Sequence, residues 1–201
     1  MIKKKWAILC SGWGGNAIDV MEKYHHYENY SKYFEINLLI YDNEECGAAQ
    51  TAKEHNIEYI QIARAKFDNS KLHQLALITE LKKRDIDYIF LMNYKYLIRQ
   101  DMLKNFQNRI INVHPSLFPS FLATKSAIQD ALAYGVKITG ITTHIIDENY
   151  DKGTILLQEP IRVEENDTFE TLYPKFRKKG KNILLKTMLN ISMNSNGNKK
   201  N

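Results

Sequence analysis

Residues 109–116 read Arg109-Ile110-Ile111-Asn112-Val113-His114-Pro115-Ser116. The apolar start suits a buried strand, and residues two apart in a strand point to the same side, so Asn112 and His114 present an amide and an imidazole together. Pro115 has no backbone N–H to donate and tends to end the strand, which leaves both side chains at its carboxyl end. Open α/β sheets place their ligands at that end. An amide donor beside a titratable imidazole is a device for stabilising an oxyanion and moving a proton. Further on, His144-Ile145-Ile146-Asp147-Glu148-Asn149-Tyr150-Asp151-Lys152-Gly153 supplies a carboxylate that can complete the set. On residue pattern alone, a hydrogen-bonded histidine that stabilises a turn at Pro115 explains the pair equally well.

Outward from this strand, short apolar runs alternate with longer polar–apolar segments, as in βαβ units. The pattern predicts strands at Trp6–Cys10, Glu35–Tyr41, Tyr59–Ile62, Tyr88–Met92, Arg109–Val113, Ile138–Ile146 and Thr154–Val163. It predicts helices at Ala17–Tyr24, Ala48–His55, Ser70–Lys83, Arg99–Phe106 and Lys125–Tyr134. The last two strands follow one another across a single loop, which points to an antiparallel extension. The expected fold class is therefore α/β: a Rossmann-like, mostly parallel sheet flanked by helices, with an antiparallel C-terminal pair. A last helix is expected from about Thr168, capped by Asn166 or Asp167, to about Met188, with a kink or break at Pro174 and Gly180. Residues 1–191 read as one domain, and the polar stretch 192–201 as a disordered tail.

The 201 residues are 44% hydrophobic, enough for a substantial core, yet no run of about eighteen apolar residues exists to span a membrane. The apolar start is too short for a secretory leader, so a cytoplasmic protein is expected. The formal charge of +5 sits in Lys3–Lys5, Lys175–Lys181 and Lys199–Lys200, which solvated helix faces and chain ends explain. No basic and aromatic interleaving of a nucleic-acid module is present, so small anionic substrates are the expected partners rather than nucleic acid or membrane. Cys10 and Cys46 lack metal-ligand spacing and read as inert thiols.

Ser11-Gly12-Trp13-Gly14-Gly15-Asn16 joins the first strand to the first helix. Glycines there let backbone N–H groups approach an anion at a helix amino end. The stretch is neither a Walker loop nor a dinucleotide fingerprint, and a plain strand–helix turn accounts for it as well.

Taken in order, the Ser11–Asn16 turn, Asn112-Val113-His114-Pro115-Ser116-Leu117-Phe118-Pro119, the His144–Gly153 segment and Gln158-Glu159-Pro160-Ile161-Arg162-Val163-Glu164-Glu165 resemble the folate-dependent formyltransferases, over roughly Lys4 to Leu189. The resemblance implies a formyltransferase-like fold and transfer of a formyl group from 10-formyltetrahydrofolate to a primary amine, without a metal. Glycinamide ribonucleotide is the implied acceptor; another amine such as an amino sugar, or a folate- or nucleotide-binding paralogue with little turnover, are the alternatives. The resemblance makes Asn112, His114 and Asp151 the catalytic set. It gives Gly14, Gly15 and Asn16 to the substrate phosphate, and Lys95, Tyr96, Leu97 and Ile98, with Asn112, to the folate.

This sequence departs from the family in places. A Pro-Gly pair expected after Pro119 is missing from Ser120-Phe121-Leu122-Ala123-Thr124-Lys125, and Gly180 stands where the glycinamide enzymes carry an acidic substrate contact. Family arginines fall at Ser70 and Tyr96.

Overall fold

The computed structural model describes residues 3–26, 29–148 and 153–197. Its strands are β1 (Lys4–Cys10), β2 (Phe34–Tyr41), β3 (Glu58–Gln61), β4 (Tyr88–Met92), β5 (Ile110–His114), β6 (Ile138–Ile145) and β7 (Ile155–Arg162). Its helices are α1 (Gly15–His26), α2 (Gly47–Glu54), α3 (Ser70–Lys83), α4 (Gln100–Asn105), α5 (Ala127–Tyr134) and α6 (Phe169–Gly197). The strands form one sheet in the order β3-β2-β1-β4-β5-β6-β7. The first five pair in parallel, whereas β5–β6 and β6–β7 are antiparallel, as the two closing runs of the sequence predict.

Strand β1 shows why the sheet sits at the centre. Trp6, Ala7, Ile8, Leu9 and Cys10 are all fully buried, because helices cover both faces of a parallel sheet. Trp6, Ile8 and Cys10 pack towards α1, α2 and α6, through Val20, Met21, Ala48, Ala52 and Leu184. Ala7 and Leu9 pack towards α3 and α4, through Leu77, Leu81 and Met102. Helix α3 starts on Asn69, whose side chain accepts from the Leu72 N–H at 3.0 Å. That cap contributes about 1 kcal/mol. The chain leaves β1 towards β2 on one side and returns to β4 on the other, which opens a crevice at the carboxyl ends of β1 and β4.

Two expectations about the last helix change. Helix α6 runs unbroken from Phe169 to Gly197 through Pro174 and Gly180. Its buried stripe of Leu172, Phe176, Ile183, Leu184, Leu185 and Met188 holds it against the sheet, and this packing outweighs local propensity. Nor does ordered structure end at Ile191. Ser192 is fully buried; its Oγ accepts from Trp6 Nε1 at 3.0 Å and donates to Met188 O at 2.7 Å. Polar composition concealed this turn, because serine can satisfy its hydroxyl on the helix carbonyl four residues back. No helix among the described residues is long and apolar enough to cross a membrane.

Candidate active site

The β1–α1 turn forms one wall of the crevice. Gly14 has φ +78°, and a Cβ there would lie 2.6 Å from Ala48 Cβ, so both conformation and space require glycine. Gly14 is buried beneath the turn, and its carbonyl accepts from Ile18 N at 3.0 Å, opening α1. Gly15 is the first residue of α1, and nothing lies within 4 Å of its Cβ position. The first turn of α1 carries no acidic side chain, so its amino-end dipole is left for an anion.

The segment after β4 is tied to this turn. Asn93, in a left-handed conformation at φ +60°, accepts from Asn16 Nδ2 at 2.6 Å. Lys95 N donates to Ser11 Oγ at 3.2 Å, and Lys95 Nζ lies 2.8 Å from the buried Asp42 carboxylate at the end of β2. Burial pushes the Asp42 carboxyl up, but bonds from Lys95, Tyr96 and the Gly12 amide outweigh it and leave the group below its ordinary range. The same ion pair raises the Lys95 ammonium. Below the segment lies Gln74 of α3, 2% exposed, whose Nε2 donates to Leu97 O at 2.5 Å and whose Oε1 accepts from Arg99 N at 2.8 Å. Gln74 fixes the backbone of 97–99, and no periodicity in the sequence distinguishes it from an ordinary helix residue.

Strand β5 carries the amide and the imidazole on one face, as expected. Asn112 pairs with His144 on the antiparallel neighbour β6, and His114 with Thr142. Asn112 Nδ2 lies 3.3 Å from His144 Nε2, and His144 Nδ1 lies 3.2 Å from Ile145 O. With the proton on Nδ1 bonded to that carbonyl, Nε2 accepts from the amide, and the NH₂ group has a second hydrogen left for the crevice. His144 is fully buried and so serves as a support for Asn112. His114 is also buried, lying under the loop that follows β5, where its Nε2 meets Phe121 O at 2.8 Å. That loop is locked to β6: Thr142 Oγ1 donates to Ser116 O at 2.7 Å and accepts from Phe118 N at 3.1 Å. In place of a Pro-Gly pair, Phe121 and Ala123 themselves adopt left-handed φ values of +52° and +56°.

Two clefts meet at Asn112. The first, of 530 Å³, lies between α1, α5 and α6 and includes Asn16, Lys125, Tyr173, Arg177 and Gly180. The second, of 590 Å³, is bounded by Leu91, Tyr96, Leu97, Ile98, Leu103 and Ile146. Tyr94, Lys95, Asn112 and Lys125 belong to both. The aliphatic wall of the second, Leu91, Leu97, Ile98, Leu103 and Ile146, suits a flat heterocycle beneath a rim of mixed charge (Arg99, Asp101, Asp147, Glu148), and the first, with Lys95, Lys125 and Arg177 and no carboxylate among its described lining residues, suits an anion. Arg177 is held by a two-point pair with Asp19, at 2.9 and 2.5 Å. The structure thus brings Asn16, Asn112 and the 95–98 segment together around one space; Gly14 supports the turn from beneath, and His114 lies deeper than either cleft wall. Asp151 lies outside the described residues. Among the described residues no group of three or more His, Cys, Asp or Glu side chains is placed to hold a metal.

Residues 4–188 match the sequence model of the formyl transferase family. The chain belongs to that family. It is 31% identical over 175 residues to the phosphoribosylglycinamide formyltransferase of Bacillus subtilis (strain 168), covering 87% of this chain and 88% of the relative. It is 33% identical over 177 residues to the chloroplastic phosphoribosylglycinamide formyltransferase of Vigna unguiculata, covering 85% of this chain but only 55% of that longer protein. Among solved structures, glycinamide ribonucleotide transformylase 1 from Symbiobacterium toebii superposes with a TM-score of 0.88 at 26% identity, covering 96% of this chain and 89% of that one. The phosphoribosylglycinamide formyltransferase from Bacillus halodurans gives a TM-score of 0.84 at 30% identity, covering 94% and 95%. The Rossmann-like sheet with an antiparallel C-terminal pair is thus the fold of this formyl transferase and of these relatives alike.

Proposed function

We propose that this formyl transferase moves the formyl group of 10-formyltetrahydrofolate to the primary amine of glycinamide ribonucleotide, a step of purine synthesis. The observation that carries the reading is the meeting of an aliphatic cleft and a cationic cleft at the Asn112 amide, in a chain about 30% identical to enzymes of that name. In this reading the folate ring lies along Leu91, Leu97 and Ile98, and the acceptor phosphate lies at the amino end of α1 by Gly15 and Asn16. The two substrates then approach Asn112 from opposite sides.

Attack of the amine nitrogen on the formyl carbon puts negative charge on the formyl oxygen. The free hydrogen of Asn112 Nδ2 stabilises that oxygen, and a protonated His114 joins it once substrate binding draws the Phe121 carbonyl off its Nε2. His114 gives its proton to the leaving folate nitrogen as the tetrahedral carbon collapses, and the amine's surplus proton returns to the imidazole through water. Asp151 holds His114 in its charged form and assists that return.

A second acceptor is favoured by one feature. Gly180 lines the cationic cleft where the family resemblance places an acidic contact, and a Cβ there would meet only Ile141 Cδ1, at 3.8 Å. The opening admits an amine of different shape, such as an amino sugar. Mass spectrometry of products formed from 10-formyltetrahydrofolate with glycinamide ribonucleotide, an amino-sugar panel and a no-amine control decides between them. Formylated ribonucleotide at enzymatic rates supports the first reading, formylation of another amine alone supports the second, and formate in every tube defeats both.

A further inference from the structure

We propose that Cys10 and Cys46 form a reversible disulfide under hydroperoxide, a modification site beneath the substrate-binding turn. The two thiols lie 36 positions apart in sequence, yet they converge because Cys10 ends β1 and Cys46 caps α2 directly above it. Both sulfurs border Gly14: a Cβ at that glycine would stand 3.2 Å from Cys10 Sγ and 3.7 Å from Cys46 Sγ. Cys46 Sγ donates to Trp13 O at 3.9 Å, and the two thiols lie close enough to act on each other directly. Cys10 is fully buried, whereas Cys46 is partly exposed beside Trp13, which is 66% exposed. The pair is therefore asymmetric, with an accessible attacking sulfur and a buried one behind it.

The electrostatics support that order of events. The neighbouring Cys10 thiol, with the Ala49 and Ala48 amides at the start of α2, draws the Cys46 thiol down to about 6, despite partial burial and the nearby Asp42. The neighbouring Cys46 and burial together push the Cys10 thiol far up. Cys46 is thus the more acidic thiol of the two, and it attacks in its deprotonated form. The Cys46 thiolate attacks the terminal oxygen of the hydroperoxide; the O–O bond breaks, an alcohol or water departs with a proton, and Cys46 becomes a sulfenic acid. Cys10 sulfur then attacks Cys46 sulfur, the S–O bond breaks, and the hydroxyl leaves as water with the Cys10 proton. Two thiols are oxidised by two electrons, and the peroxide is reduced by the same two.

A disulfide holds its sulfurs about 2.05 Å apart, well inside a thiol hydrogen bond. Closing it draws the end of β1 and the start of α2 together around Gly14, whose missing side chain leaves its α-carbon packed under Ala48. The strain passes to the Ser11–Asn16 turn. The bond itself does not depend on the reaction assigned above.

The test treats the folded full-length chain with hydrogen peroxide, alkylates remaining thiols, and measures intact and peptide masses, with circular dichroism confirming that the chain stays folded. The expected result is loss of two hydrogens, no alkyl label, a peptide pair linked through positions 10 and 46, and full reversal by dithiothreitol. In Cys10→Ala the same treatment leaves Cys46 as a sulfenic acid trapped by dimedone, and the alkylation profile of Cys46 moves to higher pH. Two alkylated thiols after peroxide, a disulfide between two chains, or overoxidised Cys46 beside free Cys10 in the wild type would each overturn the proposal. Should Cys10→Ala fail to fold, the wild-type cross-link decides alone.

Discussion

Replacing Gln74 by Leu tests whether the aliphatic cleft is held open by one buried amide. The side chain is 2% exposed and satisfies two backbone groups, Leu97 O at 2.5 Å and Arg99 N at 2.8 Å. Leucine is close to glutamine in size, so little cavity forms and the loss is mainly the two bonds. An orphaned buried polar group costs about 1–3 kcal/mol. Leu97 is 69% exposed and Arg99 also reaches water, so the lower end applies to each, about 2 kcal/mol together. Urea unfolding should show that loss with an unchanged slope. In the folded protein the same energy frees the 95–99 segment, so KM for 10-formyltetrahydrofolate should rise by up to about thirty-fold, at about 1.4 kcal/mol per tenfold. KM for the acceptor should change less, because the cationic cleft shares only Lys95 with the freed segment and takes its other walls from α1, α5 and α6. A variant with wild-type urea midpoint and wild-type folate KM would refute the assignment of Gln74 as the support of this cleft; lost stability with an unmoved folate KM would instead separate the cleft from folate binding.

Other substitutions probe the rest of the site. Ala123→Gly should stabilise the chain by up to about 1 kcal/mol, because φ +56° costs an L-residue about 1–2 kcal/mol and glycine's greater freedom when unfolded returns about half; a lower urea midpoint would contradict the strain argument. His144→Leu leaves Asn112 Nδ2 without its 3.3 Å acceptor, so turnover should fall about tenfold while both KM values stay near wild type, and an unchanged rate in single-turnover kinetics would remove His144 from the mechanism. Asp151→Asn should lower turnover by about 10²–10³ with little effect on acceptor binding; unaltered turnover would remove its proton role. Burial lowers the His73 imidazole below its ordinary 6.5, against a bond to Ile62 O that raises it, so the unfolded chain binds this proton more tightly. Stability from this group is complete above pH 6.5 and declines as pH falls towards the folded value. His73→Gln should flatten part of that decline in urea titrations from pH 7.5 to 5.5, leaving the contribution of His25, which burial also lowers.

What the sequence made legible was local. The buried runs at Trp6–Cys10 and Tyr88–Met92 have no polar interruption, so their place at the centre of a parallel sheet follows directly, and Asn112 and His114 follow from period two before a proline. What it hid depends on register between distant segments. Gln74 matters only because α3 lies beneath Leu97, and Asp42 only because β2 ends beside Lys95. The two cysteines look unrelated until β1 and α2 are set side by side. Helix α6 outlasts its expected end because Trp6, from the first strand, supplies the partner that makes Ser192 a buried residue.

The change of direction in the sheet explains why the site gathers at Asn112. Its neighbour on one side is Leu91 of the parallel strand β4, whose chain continues past the same end of the sheet into the 93–98 segment. Its neighbour on the other side is His144 of the antiparallel strand β6. A parallel β6 would carry its chain past this end of the sheet, as β4 does. The antiparallel β6 instead runs back from it and sets His144, its penultimate residue, directly opposite Asn112, where opposed side chains lie close on one face. Both partners of the Asn112–His144 bond therefore stand on rigid backbone, which fixes the amide's direction before any substrate enters. The aliphatic cleft is built from the parallel side and closed by a loop, while the amide is aimed from the antiparallel side, so substitutions at Gln74 and His144 should affect binding and turnover independently, and their combination should be additive in free energy. Strong coupling in that double-mutant cycle would mean that the two halves of the sheet act on Asn112 through a shared movement.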